Sequence, residues 1–413
     1  MGADRAWGYD VVDFADTPEQ AAFRAEVRAF VQERCPQELI EEAPYVGGLG
    51  GRHVGPLSEA RRLQLMKEWR AALQERGWIA PQWPKEYGGA DLSAMERHIL
   101  SEVLIEIGAP ELRVLDVGLT IMEHGSEEIK RQLLPPLVRG ETRWCQGYSE
   151  PGAGSDLTSL QTRAILDGDH FVLNGQKIWT SWANESDMMF ALVRTSTEGP
   201  PHRGITFLVF DVRTPGISVR PMVQMSGALD FNEVFFDDVR VPVANVVGEI
   251  DRGWYVAATH LDFERSRLGG GVGLRRTNGL LLAMLRSQRD AGSPQRFDNS
   301  GVRQLLADCT IAAEVSLLLT YRIVHEQVQG VIPSWEASIA KTFRTELAQR
   351  TANAAVKALG LYGLLSDEDD EETPMRGKWS EWYQSTSGET IGAGTSEIQR
   401  NIIATRRLGL PRS

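Results

Sequence analysis

The sequence predicts an α+β protein in which a region of β-strands lies between two helical regions. Two changes of period along the chain support this order. Apolar residues recur at helical spacing from about Thr17 to Gly140 and again from about Trp254 onward, whereas between Arg143 and Val247 they favour alternate positions. A chain of 413 residues is also long for a single core. We therefore predict three domains, over residues 1–142, 143–249 and 250–413.

The first region opens with a well-marked helix start at Thr17-Pro-Glu-Gln20. Thr17 has the character of an N-cap, Pro18 suits the first helical position, and Gln20 stands where a capping box places its second partner. Further helices are predicted over Arg61–Gly77 and Ala94–Ile107, where apolar residues again recur every three or four positions.

The middle region is predicted to consist of strands. Residues 164–173 indicate a hairpin, because Asp167-Gly168 is a favoured two-residue turn between alternating apolar positions. The remaining predicted strands are Met188–Val193, Ile205–Val212, Ile217–Pro221 and Glu233–Phe236.

The last region returns to the helical period, over Val302–Gln329 and Ala337–Leu359. Between these helices and the C-terminus, the acidic run Ser366–Pro374 predicts a solvated loop.

Composition narrows the classes of function. A net charge of −12 argues against nucleic-acid binding, which needs clustered basic residues. No stretch of apolar residues reaches the length of a membrane span, and the N-terminus lacks the pattern of a signal peptide. Cys35, Cys145 and Cys309 are widely separated, which fits a reducing cytoplasm, and the histidines show no metal-binding spacing. We expect a cytoplasmic protein without a metal site.

Three segments far apart in the chain combine small residues, hydroxyl groups and one tryptophan: Tyr148–Asp156, Asn174–Ser181 and Ala393–Arg400. Small residues allow backbone amides to approach a ligand closely. Read alone, the first segment is an ordinary surface turn and the tryptophan an ordinary core residue. Together, in this order, they resemble the acyl-CoA dehydrogenase superfamily, and the likeness extends from about Asp16 to Pro411.

The resemblance implies a fold with an N-terminal helical domain, a middle β-barrel-like domain and a C-terminal four-helix bundle. It also implies FAD as the cofactor and an acyl-CoA as the substrate. Members remove the α proton and transfer the β hydride to flavin N5, which gives a trans-2-enoyl-CoA, as in fatty acid β-oxidation and related lipid metabolism. Electrons then pass to an electron-transfer flavoprotein or a similar acceptor. Most members are homotetramers.

The resemblance also assigns cofactor contacts to individual residues. In the first segment Ser149 matches a hydrogen-bond donor to the flavin ring, and in the second Trp179 matches a residue that lies against it. Ser155 matches a position near both the pyrophosphate and the substrate's pantetheine. The full set of predicted FAD contacts is Gln146, Tyr148, Ser149, Ser155, Trp179, Thr180, Ser181, Gly360, Gly363, Thr395 and Glu397.

The catalytic base is predicted at Glu264. Many relatives carry the base immediately before Gly-Thr in the third segment, but this chain has Ala393 there. A subgroup similar to isovaleryl-CoA dehydrogenase instead carries it on an early helix of the last domain, where Glu264 matches. Its helical spacing from Leu261 and Leu268 predicts partial burial and a raised pKa. Without the resemblance, an ion-paired surface glutamate would be the simpler interpretation.

Two neighbouring features are assigned to the substrate. Arg265 matches a position associated with CoA binding, although an interdomain salt bridge is an alternative, and the Ala393 amide could polarise the thioester carbonyl. Gly269-Gly-Gly271 follows on what the spacing indicates is the same helix. We expect the missing side chains to leave room for the acyl group.

Two alternatives remain open. Residues 295–304 depart from the Arg-x-x-Phe-Gly pattern through which many members contact a neighbouring subunit. The chain could therefore be one subunit of a heterotetramer, as in relatives that act on steroid side-chain thioesters. It could also be a flavin oxidase or monooxygenase built on the same fold.

Overall fold

The computed structural model describes residues 15–42, 57–112, 116–265, 270–290, 299–331, 333–367 and 369–411. The predicted order of helices, strands and helices is confirmed. The helices are α1 (Pro18–Arg34), α2 (Gln37–Glu42), α3 (Glu59–Glu75), α4 (Ala94–Ile107), α5 (Val117–His124), α6 (Glu127–Arg139), α7 (Gly253–Arg265), α8 (Gly270–Asp290), α9 (Ser300–Val328), α10 (Trp335–Leu359), α11 (Lys378–Glu389) and α12 (Ser396–Ile402). The strands are β1 (Trp144–Gly147), β2 (Arg163–Asp167), β3 (His170–Lys177), β4 (Met188–Arg194), β5 (Ile205–Asp211), β6 (Ile217–Pro221) and β7 (Asn232–Pro242). Among the described residues, no helix is both long and apolar enough to span a membrane.

The N-terminal helices start where local hydrogen bonding dictates. At α1 the Gln20 backbone N–H donates to Thr17 Oγ1, and the Thr17 N–H donates to Gln20 Oε1. Ser93 and Glu96 form the same reciprocal pair at the start of α4. Each pair satisfies two backbone N–H groups that the first helical turn leaves without partners. The helices then pack around a core that includes the fully buried Trp69.

The middle domain is one mixed sheet, in which the strand order is β1-β4-β2-β3-β7-β6 and β5 pairs with β4. The predicted hairpin is β2–β3, with Gly168 at a φ of 64° in its turn. Strand β7 is longer than predicted because a bulge carries it past Phe236. There Asn174 and Asp238 bridge the irregularity, with the Asn174 Nδ2 donating to Asp238 Oδ1 over 2.9 Å.

The C-terminal helices α8, α9, α10 and α11 share one apolar core, to which α11 contributes Trp379 and Trp382. Within this bundle α8 approaches α9 very closely at Gly271. A Cβ atom added there would lie 2.7 Å from the Leu317 Cα atom. Gly270 and Gly271 begin α8, and residue 269 lies outside the described residues. At Gly271, therefore, the missing side chain serves helix packing and does not leave the room that we expected for the acyl group.

We predict that Gly271→Ala destabilises the folded state by about 1–3 kcal/mol, the usual cost of overpacking a core. Gly279→Ala is the matched control, because it lies on the same helix and an added Cβ would meet nothing within 4 Å. That change should stabilise the protein by up to about 1 kcal/mol through helix propensity. Urea denaturation of both variants measures the difference. Equal stabilities for the two variants would contradict the packing account.

Candidate active site

The first two predicted cofactor segments meet in the structure. Past the end of β3, the Ile178 N–H donates to the Ser149 carbonyl oxygen over 3.0 Å. One residue earlier, Lys177 Nζ donates to the Tyr148 carbonyl oxygen over 3.1 Å. The loop after β1 and the loop after β3, separated by some thirty residues in sequence, therefore form one continuous surface.

A buried ion pair holds this junction. Lys177 is fully buried, and its Nζ lies 2.7 Å from Glu150 Oε1. The Glu150 carboxylate also accepts hydrogen bonds from the backbone N–H groups of Gln161 at 2.6 Å and Thr162 at 2.9 Å. Burial lowers the pKa of Lys177 to about 8, although Glu150 opposes that shift. Burial alone would raise the pKa of Glu150, but Lys177 and the hydrogen bonds together lower it. Both groups are therefore charged near neutral pH.

The loop after β3 presents two tryptophans in a conformation that L-residues seldom adopt. Trp179 has a φ of 61° and Trp182 a φ of 53°. Each such residue lowers the stability of the folded state by roughly 1–2 kcal/mol, which other interactions have to offset. Trp179 is 58% exposed and Trp182 46% exposed, so burial of the indoles does not provide the offsetting free energy. Between them Thr180 is fully buried, and its N–H donates to the Asn232 carbonyl oxygen.

Several groups on this surface suit a polar ligand such as FAD. The hydroxyls of Ser149, Ser155 and Ser181 have no hydrogen-bond partner within the described ranges. The same holds for the backbone N–H groups of Trp179 and Ser181. Nearby, a Cβ added at Gly152 or Gly154 would meet nothing within 4 Å, so the turn is open to a ligand. These donors and this space fit the acceptor-rich edge and diphosphate of a flavin dinucleotide.

The other predicted contacts in these segments have different surroundings. Gln146 is half-buried on β1 opposite Phe190. Tyr148 is buried, and its ring meets the Phe190 ring edge-on at 5.8 Å. The Thr180 hydroxyl is buried without a partner in the described part of the chain, so only a group reaching beneath the loop could bond it. These residues stay predicted cofactor contacts.

The third segment is fixed by polar contacts from its own domain. Ala393 has a φ of 52°, and its carbonyl oxygen accepts a hydrogen bond from Gln399 Nε2 over 3.1 Å. On α10, Lys341 Nζ donates to the carbonyl oxygens of Gly394 at 2.8 Å and Glu389 at 3.1 Å. Burial lowers the pKa of Lys341 to about 8. The exposed Ala393 keeps its N–H without a partner among the described residues, as a thioester-polarising amide requires.

The other four predicted contacts with the dinucleotide lie in the C-terminal helical region. Thr395 is the N-cap of α12, where its Oγ1 accepts from the Ile398 N–H, so it has a structural role as well. Glu397 is exposed in the first turn of that helix. Gly360 and Gly363 lie in a short 3₁₀ segment after α10, and the Leu361 side chain between them is 82% exposed. Both glycines stay predicted cofactor contacts.

Helix α7 carries the predicted base and is tied to the first segment by His260, which sequence analysis did not identify. The buried His260 ring lies 5.9 Å from the Tyr148 ring and 4.9 Å from the Phe190 ring. Its Nδ1 lies 3.1 Å from Thr120 Oγ1 on α5. Position 264 comes one turn later on the same helix. The side chains of Glu264 and Arg265 lie outside the described residues.

Comparison with known proteins agrees with this arrangement. The acyl-CoA dehydrogenase N-terminal, middle and C-terminal domain families match residues 51–141, 145–239 and 251–408. Acyl-CoA dehydrogenase FadE26 of Mycobacterium tuberculosis is 35% identical over 96% of this chain and 98% of its own length.

Solved structures also identify acyl-CoA dehydrogenases as similar to this chain. A chain of the ChsE4-ChsE5 complex from Mycobacterium tuberculosis is 34% identical with a TM-score of 0.79, over 97% of this chain and 100% of its own. A chain of the Tcur3481-Tcur3483 steroid ACAD has the same TM-score at 30% identity and covers 97% of this chain and 100% of its own. The chain therefore belongs to the acyl-CoA dehydrogenase family of flavin-dependent oxidoreductases.

Proposed function

We propose that the chain binds FAD and oxidises an acyl-CoA to a trans-2-enoyl-CoA. The observation that carries this proposal is the junction of the Tyr148–Asp156 and Asn174–Ser181 segments. These two segments carry hydroxyls and amides that have no partner among the described residues, together with a glycine turn open to a ligand. Ser149 and Ser181 would bond the flavin ring, with Trp179 against it and Ser155 near the diphosphate. Bound FAD would supply the hydride acceptor, N5, for the β hydrogen.

We propose that Glu264 removes the α proton. Its helix is tied through His260 to Tyr148, so the base and the first cofactor segment belong to one packed unit. The Ala393 N–H lies on a left-handed backbone fixed by the hydrogen bonds of Gln399 to Ala393 and of Lys341 to Gly394, and it would donate to the thioester carbonyl. That hydrogen bond would stabilise the enolate charge as it develops. Arg265 would hold part of the CoA.

We propose an electron-transfer flavoprotein or similar protein as the electron acceptor, and a cytoplasmic location, which fits the buried free cysteines Cys35, Cys145 and Cys309. The rival activities on this fold are those of flavin oxidases and monooxygenases. Anaerobic mixing with acyl-CoA thioesters, followed by admission of oxygen, separates the classes. A dehydrogenase's flavin is bleached by the thioester and then reacts only slowly with oxygen, whereas the reduced flavin of an oxidase or monooxygenase reacts with oxygen rapidly. A flavin that stays oxidised across a panel of straight, branched and steroid thioesters would argue against the proposal.

The chain has two candidate assemblies, a homotetramer and a heterotetramer, and one observation supports the second. A homotetramer is the family's usual state, but two of the solved relatives are described by pairs of differently named chains, ChsE4-ChsE5 and Tcur3481-Tcur3483. A heterotetramer of this chain with a second acyl-CoA dehydrogenase-like chain is therefore the alternative.

We predict that the chain purified alone carries an equimolar amount of FAD if it forms the homotetramer. Light scattering gives the mass, and the flavin absorbance of denatured protein gives the FAD content. A smaller particle with substoichiometric FAD, restored to full occupancy by co-expression with a second chain, would establish the heterotetramer instead.

A further inference from the structure

The loop Ile178–Glu185 needs an anchor beyond the partial burial of its tryptophans. Trp179 and Trp182 both hold left-handed backbone conformations, and both side chains are about half exposed. Strained residues of this kind persist only where the surroundings fix them. The anchor has to come from below the loop, where the start of β7 lies.

Asn232, the first residue of β7, is that anchor. It is fully buried, and its backbone exchanges two hydrogen bonds of 3.1 Å with Thr180, one in each direction. Its Nδ2 lies 3.0 Å from the Thr180 carbonyl oxygen, 3.1 Å from Asn184 Oδ1 and 3.2 Å from the Asp230 carbonyl oxygen. One side-chain amide therefore joins the middle of the loop, its end and the preceding turn.

The neighbouring Asp230 reinforces the same loop from its edge. Its carbonyl oxygen accepts from the Trp182 N–H over 2.6 Å, and its Oδ1 accepts from Trp182 Nε1 over 3.2 Å. The Asn232 Oδ1 meanwhile is buried without a partner in the described ranges. A buried acceptor without a partner is costly, so Asn232 is not the most stable way to fill this space. What it contributes is the geometry of the loop.

We propose that Asn232 is a positioning residue for the cofactor, which acts by fixing the segment that carries Trp179, Thr180 and Ser181. The proposal rests on the assignment of FAD to this surface. Asn232 hydrogen-bonds one predicted cofactor contact, Thr180, and so holds the backbone that carries Trp179 and Ser181. Without it, the loop populates the binding conformation for only part of the time, and the apparent affinity falls by that fraction.

The test compares Asn232→Ala with Val241→Ala, a buried truncation near the far end of the same strand. Hydrogen exchange over residues 178–186 reports the loop without any need for FAD. A titration of apoprotein with FAD then reports affinity. We expect Asn232→Ala to lose protection in this segment and to bind FAD at least about tenfold more weakly. Val241→Ala should keep the wild-type values of both, even if it is less stable.

Asp230→Ala provides a milder variant should Asn232→Ala fold poorly, because Asp230 is only half-buried. It should show the same two changes to a smaller degree. Wild-type FAD affinity in a variant whose loop has lost protection would overturn the positioning role. Equal changes in Val241→Ala would show that Asn232 contributes only to the general stability of the fold. Failure of the wild-type protein itself to bind FAD would instead contradict the proposed function.

Discussion

Glu264→Gln is expected to lower turnover by about 10²–10⁴-fold, the contribution of a general base. Glutamine keeps the shape of the side chain but cannot accept the α proton. FAD content and the free energy of unfolding should stay at wild-type values, since no predicted cofactor contact changes. Steady-state kinetics with an artificial electron acceptor measures turnover, the flavin absorbance of the purified variant measures FAD content, and urea denaturation measures the free energy of unfolding.

Glu249→Gln is the matched control for this variant, because it removes an exposed carboxylate shortly before the same helix. It should turn over at the wild-type rate. Near-wild-type activity of Glu264→Gln would assign the base to another residue. A parallel loss in both variants would point to a general effect on the domain.

Lys177→Met is expected to destabilise the protein by about 3–5 kcal/mol, because it leaves the Glu150 carboxylate buried without its partner. The pair lies at the junction of the two cofactor segments, so FAD affinity should fall as well. The double variant Lys177→Met with Glu150→Gln should recover much of the stability, since no charge stays buried. Guanidinium denaturation of the single and double variants gives the coupling energy between the two residues.

The pH dependence of the free energy of unfolding provides a second measurement on the Lys177–Glu150 pair. In the wild type the folded-state pKa of Glu150 lies below its usual value of 4.5, so the pair's contribution is lost as the pH falls through and below that value. In Lys177→Met, burial without the lysine should raise that pKa, and the variant should become more stable as the pH falls from neutrality. A variant whose stability varies with pH as the wild type's does would contradict the ion-pair account.

Local patterns predicted the fold class and many of its elements. The capping box at Thr17 and Gln20 and the Asp167-Gly168 turn are short-range signals, and both elements form where the sequence indicated. Helix α4 matches its predicted bounds because a capping box begins it and Gly108, in the left-handed region, ends it.

The sequence did not predict the extent of elements whose local sequence pattern disagrees with their packing in the fold. Helix α6 contains Pro135 and Pro136, which normally end a helix, yet it continues to Arg139 with an apolar face on the core. The predicted strand at Glu233–Phe236 stopped short of the acidic pair Asp237-Asp238, which the bulge in β7 accommodates. Such cases depend on contacts that no local pattern records.

The candidate site also contains features that local patterns predict and features that they miss. Motif resemblance identified the segments and the residues on them as candidates, since these are contiguous in sequence. It did not find His260, Asn232 or the role of the Lys177–Glu150 pair, because each acts through contacts between residues far apart in the chain. Gly271 was assigned to the acyl group, whereas its surroundings show that it allows α8 to approach α9.

The most direct test of the proposed chemistry is proton exchange in heavy water, followed by mass spectrometry of the thioester. With 3,3-dimethylbutanoyl-CoA the β carbon carries no hydrogen, so any exchange at the α carbon reports the base alone. The FAD-loaded wild type should incorporate deuterium there, and Glu264→Gln should not. Exchange at equal rates in both proteins would show that the carboxylate at position 264 is not the base.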